Sequence, residues 1–461
     1  MNNNQLSEAY DQFENNYGRS GSLFIIIASS MLILSITRGL IVLLFGGAIE
    51  SADIYNLIFL VLLIYNIYCF FDQQRMRYPS NLRLLLYLNL IFYVAWFLPE
   101  ILATRDLKFF LVCSVIPFTM FAFFKIPKVY VHKLLMFILF LVAATTIIDF
   151  VISNIPRLEL REYREQLRLM INPSQIAPTR VGFLLRSVGI TGSEHETSCL
   201  LAMLLTFVLA LRERYISKTK KTVLVYMGLI ALLFTLSITN SIVVAVSIML
   251  IAIHGYKRKK YFNTFLLLVP ATVFIFYLSL TPEDINKQSD LNVVDAVYMK
   301  LNPATADWSV MFTTSFDDSR LAQDGTLVCF YWQQGCSYLF NEFGGLLIGH
   351  EGATQMGEFG RITEIGLIRM MWETGLTSFL CFLIVISFPI LIYIKSDQFT
   401  RKSLFPYFCA IATGLATLIH YGALFRTTNI FLFYAIYGAF IRQYIVSMAF
   451  KNKLAIDNRT L

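Results

Sequence analysis

The stretch "RSVGITGSEHETSC", residues 186–199, sets an arginine, two glutamates and a histidine in front of the apolar run "LLAMLLTFVLAL". Groups of this kind at the mouth of a buried helix do one of two jobs. Thr191 or Ser193 can accept from free backbone N–H groups, with Glu194 and Glu196 favoured at the positive end of the helix dipole. Alternatively, Arg186 and the same N–H groups form an anion site at membrane height. The residue types alone leave both readings open.

Further charges recur at the same level. Arg180 lies six residues upstream of Arg186. In "RITEIGLIRMMWETGL", residues 361–376, Glu364, Leu367 or Ile368, Met371 and Gly375 fall near one helical stripe, which aims the carboxylate inward. Partial removal from water raises a carboxylate's proton affinity and a neighbouring arginine lowers it, so Glu364 beside Arg361 is poised as a general base. The plainer reading is a carboxylate satisfying a helix N-terminus. Arg38 sits inside the first apolar run, Arg369 early in a later one, and Arg426 in the turn "FRTTN". Arginine beside hydrocarbon is costly and defaults to a functional role, with snorkelling to the interface as the alternative. His195 and His350 lack an H-x-x-x-H or C-x-x-C partner, so neither a metal centre nor another cofactor is expected. Asp317 and Asp318 in "SFDDSR" read as solvated, and Arg320, His195 and His350 are reserve candidates for the site.

These groups must be positioned by helices. The chain has 461 residues, is 57% hydrophobic and 15% charged, and has a mean hydropathy of +0.62, which no soluble domain of this size could bury. An all-α integral membrane protein is expected, because the apolar runs are continuous and lack the alternation of a barrel. Twelve runs can be drawn, at about 22–46, 54–71, 82–103, 107–124, 130–152, 196–211, 222–238, 241–254, 261–280, 367–394, 404–424 and 430–448. No repeat or second soluble domain interrupts residues 1–461.

The net charge of +8 does not point to nucleic acid, since Lys and Arg cluster in short connections between runs. Alternate connections and the tail from Arg442 hold 22 Lys and Arg against 4 Asp and Glu, which places them and both termini in the cytoplasm. Glu8, Asp11 and Glu14 at the acidic N-terminus run against that placement, and no cleavable signal peptide is evident. Two segments are expected outside. Residues 153–195 contain "RLELREYREQLRLM", whose period suggests an amphipathic helix on the membrane surface. Residues 281–364 form a long loop with 12 acidic and 4 basic residues. Cys329 and Cys336 in that loop could pair in an oxidising compartment, whereas the other five cysteines, in or beside spans, read as small buried hydrophobes.

Three features resemble the bacterial O-antigen polymerase and ligase group, membrane glycosyltransferases of GT-C type. "RSVGITGSEHE" is similar to that group's exported Arg-x-x-Gly turn. "LLFTLSITNSIVVAVSIMLIAI", residues 232–253, resembles its hairpin with a Ser/Thr-rich tip, although Asn240 stands where many relatives carry arginine. The long loop leading into Glu373-x-Gly375-Leu376 resembles the third feature, and the place where ligases carry a histidine falls on Glu364. That departure favours a polymerase. The resemblance implies a GT-C-like arrangement of about twelve spans in the bacterial inner membrane. Its donor would be an undecaprenyl-diphosphate-linked oligosaccharide, with membrane lipid and a chain-length regulator as further partners. Arg186, Arg361 and Arg180 would hold the diphosphate and Glu364 would act as base. A ligase acting on lipid A core and a lipid-linked sugar flippase or transporter are the alternatives.

Overall fold

A computed structural model describes residues 3–16, 22–37, 119–154, 180–181, 184–212, 215–254, 375–419 and 427–457, with scattered positions between 61 and 94 and at 367 and 424. These residues are helical apart from one antiparallel pair of two-residue strands, β1 (Arg180–Val181) and β2 (Leu184–Leu185). The helices are α1 (Asn3–Asn16), α2 (Ser22–Ile36), α3 (Lys128–Asn154), α4 (Glu194–Ala210), α5 (Lys218–Phe234), α6 (Ile238–His254), α7 (Leu376–Lys395), α8 (Gln398–Ala416) and α9 (Thr427–Asp457). Three stretches among them are long and apolar enough to cross a membrane: Lys128–Asn154, Leu376–Lys395 and Thr428–Leu454.

Burial sorts these helices into a centre and a rim. The most apolar window of Thr428–Leu454 is 89% buried inside the protein, against 33% and 28% for the other two, so α9 is central. Beside it α4 is buried on every face from Thr197 to Ala210, as its all-round apolar sequence requires. Gly438 lets α9 approach the helical residues 119–124, because a Cβ there would overlap the Met120 carbonyl. Around this centre α3 and α7 expose Phe137, Phe140, Ile148, Leu380, Ile384 and Leu391, an outward apolar surface that suits lipid.

Two helices, α5 and α8, begin before the apolar limits drawn from sequence, for a local reason. At the start of α5 the Ser217 hydroxyl accepts from the Lys220 N–H at 3.4 Å, and Lys218, Thr219 and Lys220 follow as exposed helical residues. At the start of α8 the Asp397 carboxylate accepts from the Phe399 N–H at 3.1 Å. Capping residues therefore set these starts, rather than the first apolar residue. The run drawn at 367–394 is corrected: α7 begins at Leu376, and Gly375 has φ 77°, outside any right-handed helix.

Both described termini lie at one end of the bundle. The Tyr10 hydroxyl of α1 is 2.9 Å from the Ser447 hydroxyl of α9 and donates to Gln443 Oε1 at 3.1 Å. Burial pushes the Tyr10 phenol well above its ordinary value. Glu14 enters deeper. Its Oε1 accepts from Arg442 Nε and the Lys128 N–H at 3.0 Å each, and from Gln443 Nε2 at 3.2 Å. One carboxylate thus caps the N-terminus of α3 and balances a guanidinium, with both charged side chains fully buried. Asp11 pairs with Lys128 and accepts from the Tyr215 hydroxyl at 3.3 Å. Of the three acids in the N-terminal segment, Asp11 and Glu14 thus pair with Lys128 and Arg442.

Candidate functional site

At the opposite end the Arg186 turn is built against the last turns of α3. Asp149, a lone acid in the apolar "TTIIDFVISN", places Oδ2 at 2.7 Å from the Ser187 hydroxyl, 2.8 Å from the Val188 N–H and 3.2 Å from the Gly189 N–H. The Asn154 amide works like a strand edge, donating to the Leu185 carbonyl at 3.1 Å and accepting from the Leu185 N–H at 2.9 Å. Gly189 has φ +54°, and a Cβ on it would lie 2.7 Å from Thr146 Oγ1. Only glycine takes this backbone and this closeness without strain.

The turn is then stapled onto α4. Thr197 donates to the Val188 carbonyl at 2.6 Å, and the hydroxyls of Thr191 and Thr197 are 2.7 Å apart. Ser193 occupies the N-cap position of α4 with no side-chain cap bond, while Thr191 Oγ1 accepts from the Ser193 N–H at 3.3 Å. Thr191, of the two expected caps, is the one that bonds locally. Glu194 and Glu196 lie in the first turn as expected. In the turn before α4, the N–H groups of Val188 and Gly189 donate to Asp149. The Arg186 side chain in this turn is half-buried.

The α5–α6 hairpin closes on the same place. The Ser187 N–H donates to the Phe234 carbonyl at 3.1 Å, and the rings of Phe150 and Phe234 stack at 4.0 Å. Its tip passes through Leu236, whose φ of 51° is strained for a residue with a Cβ. Asn240 then donates to the Ser198 hydroxyl at 2.5 Å, and Ser198 donates to the His195 carbonyl at 3.1 Å. On the far side of α4, Cys199 Sγ is 3.5 Å from the hydroxyl of Thr417 in the turn after α8. Cys199 and Cys409 are buried free thiols as expected, whereas Cys381 is half-exposed.

Among the sequence-predicted site residues, the structure brings three to this end. Arg186 is in the turn. The β1–β2 register sets Arg180 opposite Leu185, so its backbone lies beside the residue preceding Arg186. His195 Nε2 stands 3.7 Å from Glu194 Oε1, with the Glu194 side chain fully buried and that of His195 26% exposed, so the histidine is the reachable member of the pair. Glu364, Arg361, Arg320, His350, Arg38, Arg426, Cys329, Cys336 and the segments 157–170 and 281–364 lie outside the described residues. Sequence reading missed Asp149 and Asn154. The signal for Asp149 was present, because an ionisable residue within an apolar run must find partners.

In comparisons with known proteins, no family model matches the chain and no curated protein matches it.

Proposed function

We propose that the chain is a membrane glycosyltransferase that joins undecaprenyl-diphosphate-linked oligosaccharide units into an O-antigen-like surface polysaccharide at the outer face of the bacterial inner membrane. The observation that carries this reading is the meeting of two sequence-distant parts of the resemblance. The Arg186 turn and the hairpin bearing Asn240 share one end of the bundle, through Ser187 to Phe234 and Asn240 to Ser198. Lipid pins the reacting carbon of such a donor at the membrane surface, where charged groups on helix ends can meet it. As the sugar–phosphate bond breaks, negative charge builds on the diphosphate and guanidinium groups stabilise it. Arg186, Arg361 and Arg180 take that part, and Glu364 takes the proton of the attacking hydroxyl. The basic end that holds both termini would face the cytoplasm. A GT-C-like set of about twelve spans, with a chain-length regulator as partner, belongs to the same proposal.

The test uses the purified chain in proteoliposomes with lipid-linked oligosaccharide and no ion gradient. Wild type should give a ladder of longer lipid-linked chains, and Arg186→Ala or Glu364→Ala should lose it while inserting normally. Transfer to lipid A core instead would make the chain a ligase. Transbilayer movement without any new glycosidic bond would make it a flippase. A full ladder from Glu364→Ala would remove that residue from the role of base.

A further inference from the structure

The cradle at residues 187–189 has the form of an anion site. Two successive N–H groups and a hydroxyl converge on one oxygen, with a left-handed glycine shaping the turn. Its occupant is internal. Asp149 Oδ2 takes all three donors, and its Oδ1 lies 3.5 Å from the Ser153 hydroxyl. A carboxylate inside an apolar helix is costly to leave without partners, and neutral backbone donors from the turn provide them here. The same contacts fix the turn from below, since the Ser187 hydroxyl also lies 2.9 Å from the Thr146 carbonyl. Arg186 immediately precedes this clamped tripeptide, so its backbone inherits the position.

We propose that Asp149 is the positioning residue of this site: its carboxylate serves as a resident anion in the amide cradle of residues 187–189 and thereby sets the place of Arg186. This rests on the proposed reading only in taking the external ligand to be a diphosphate. The cradle does not grip that diphosphate, because Asp149 already fills it. The diphosphate meets the guanidinium instead. A small carboxylate should accordingly replace the side chain once it is removed.

The experiment is chemical rescue with formate, read in two ways. Asp149→Ala should slow extension of lipid-linked chains on the order of tenfold to a hundredfold, as misplacing a positioning element does. Formate should restore part of that rate and leave wild type unchanged. Arg186→Ala combined with Asp149→Ala should gain nothing from formate. The second readout needs no substrate. Formate should raise the unfolding temperature of Asp149→Ala, because a ligand bound only by the folded state stabilises it, and should not shift wild type. Asp149→Asn keeps the shape and loses the charge, so it should show a smaller loss and no response to formate. Loss in Asp149→Ala with no formate effect in either readout would overturn the proposal. Should Asp149→Ala fail to accumulate, Asp149→Asn at wild-type rate and wild-type stability would overturn it too. If wild type extends no chain, the proposed reaction falls, while the unfolding shift still reports on the cradle.

Discussion

The two ends of the bundle hold their acids in different ways: Glu14 is buried and Asp149 only half-buried. At the end shared by the termini, Glu14 meets a full opposite charge, Arg442, and both side chains are sealed from solvent. At the other end Asp149 accepts from a hydroxyl and two N–H groups, and Arg186 and His195 beside it stay partly open. A sealed pair has nothing left to offer a ligand. It fastens the first helix to the last across the intervening chain. At the other end a turn donates to the carboxylate, and Arg186 in that turn is half-buried, not sealed. A single helix joins the two arrangements: α3 starts at the Lys128 N–H that donates to Glu14 and carries Asp149 near its far end. Its 27 residues span about 40 Å at about 1.5 Å per residue.

The largest expected effect comes from breaking the sealed end. Glu14→Ala removes the carboxylate 3.0 Å from the buried Arg442 guanidinium, and it also removes the acceptor for the Lys128 N–H. A loss of about 3–5 kcal/mol is expected from removing one partner of such a pair. Replacing both partners, Glu14→Leu with Arg442→Met, should cost much less than the two single changes added together. Thermal unfolding of the four proteins in one detergent measures this. Additive losses would mean that the pair is not coupled, and the contrast between the ends would fail.

A smaller effect is expected at the open end, with a different balance between stability and activity. Gly189→Ala forces a Cβ to within 2.7 Å of Thr146 Oγ1 at a φ of +54°. The left-handed backbone costs about 1–2 kcal/mol, and the crowding adds about 1–3 kcal/mol unless Thr146 rotates away. The turn must shift, so chain extension should fall by more than the folded fraction does. Measuring initial rate per folded molecule sharpens the comparison. A rate that tracks the folded fraction alone would make this turn as purely structural as the Glu14 end.

How much of this was legible follows from the range of each interaction. The apolar runs at 130–152, 196–211 and 430–448 each correspond to a helix, because burial is written in consecutive residues. The starts of the runs at 222–238 and 404–424 fall short where capping and polar residues begin the helix, at Lys218 and Gln398. The docking of α1 was hidden, because Glu14 meets partners 114 and 428 positions away and no local pattern encodes that. In the site, Arg186 and the polar mouth of α4 stood out by charge. Asp149 did not, since the apolar and small residues around it masked one acid whose partners lie 38 to 40 positions on. The Asn240 contact was half legible: its departure from arginine showed, but its Ser198 partner did not.

The smallest effect belongs to an ion pair that is neither sealed nor built into a turn. Asp397, between α7 and α8, pairs with Lys451, and the two side chains are 47% and 33% exposed. Partial burial works to raise its carboxyl, but the hydrogen bonds from Lys451 and the Phe399 N–H outweigh it and hold the group below the ordinary value. A folded value below the unfolded one means stability that is present above the unfolded value, about 3.9, and lost as pH falls through the folded value. Solvent screening keeps such an exposed pair below about 1 kcal/mol. Asp397→Asn keeps a residue able to cap α8, so at neutral pH it should lower the unfolding temperature only slightly. That difference should close when both proteins are unfolded at a pH below the folded carboxyl value, and shrink as salt is added. A loss as large as that of Glu14→Ala would show that exposure does not set the strength of these pairs, and the sealed end would lose its special standing.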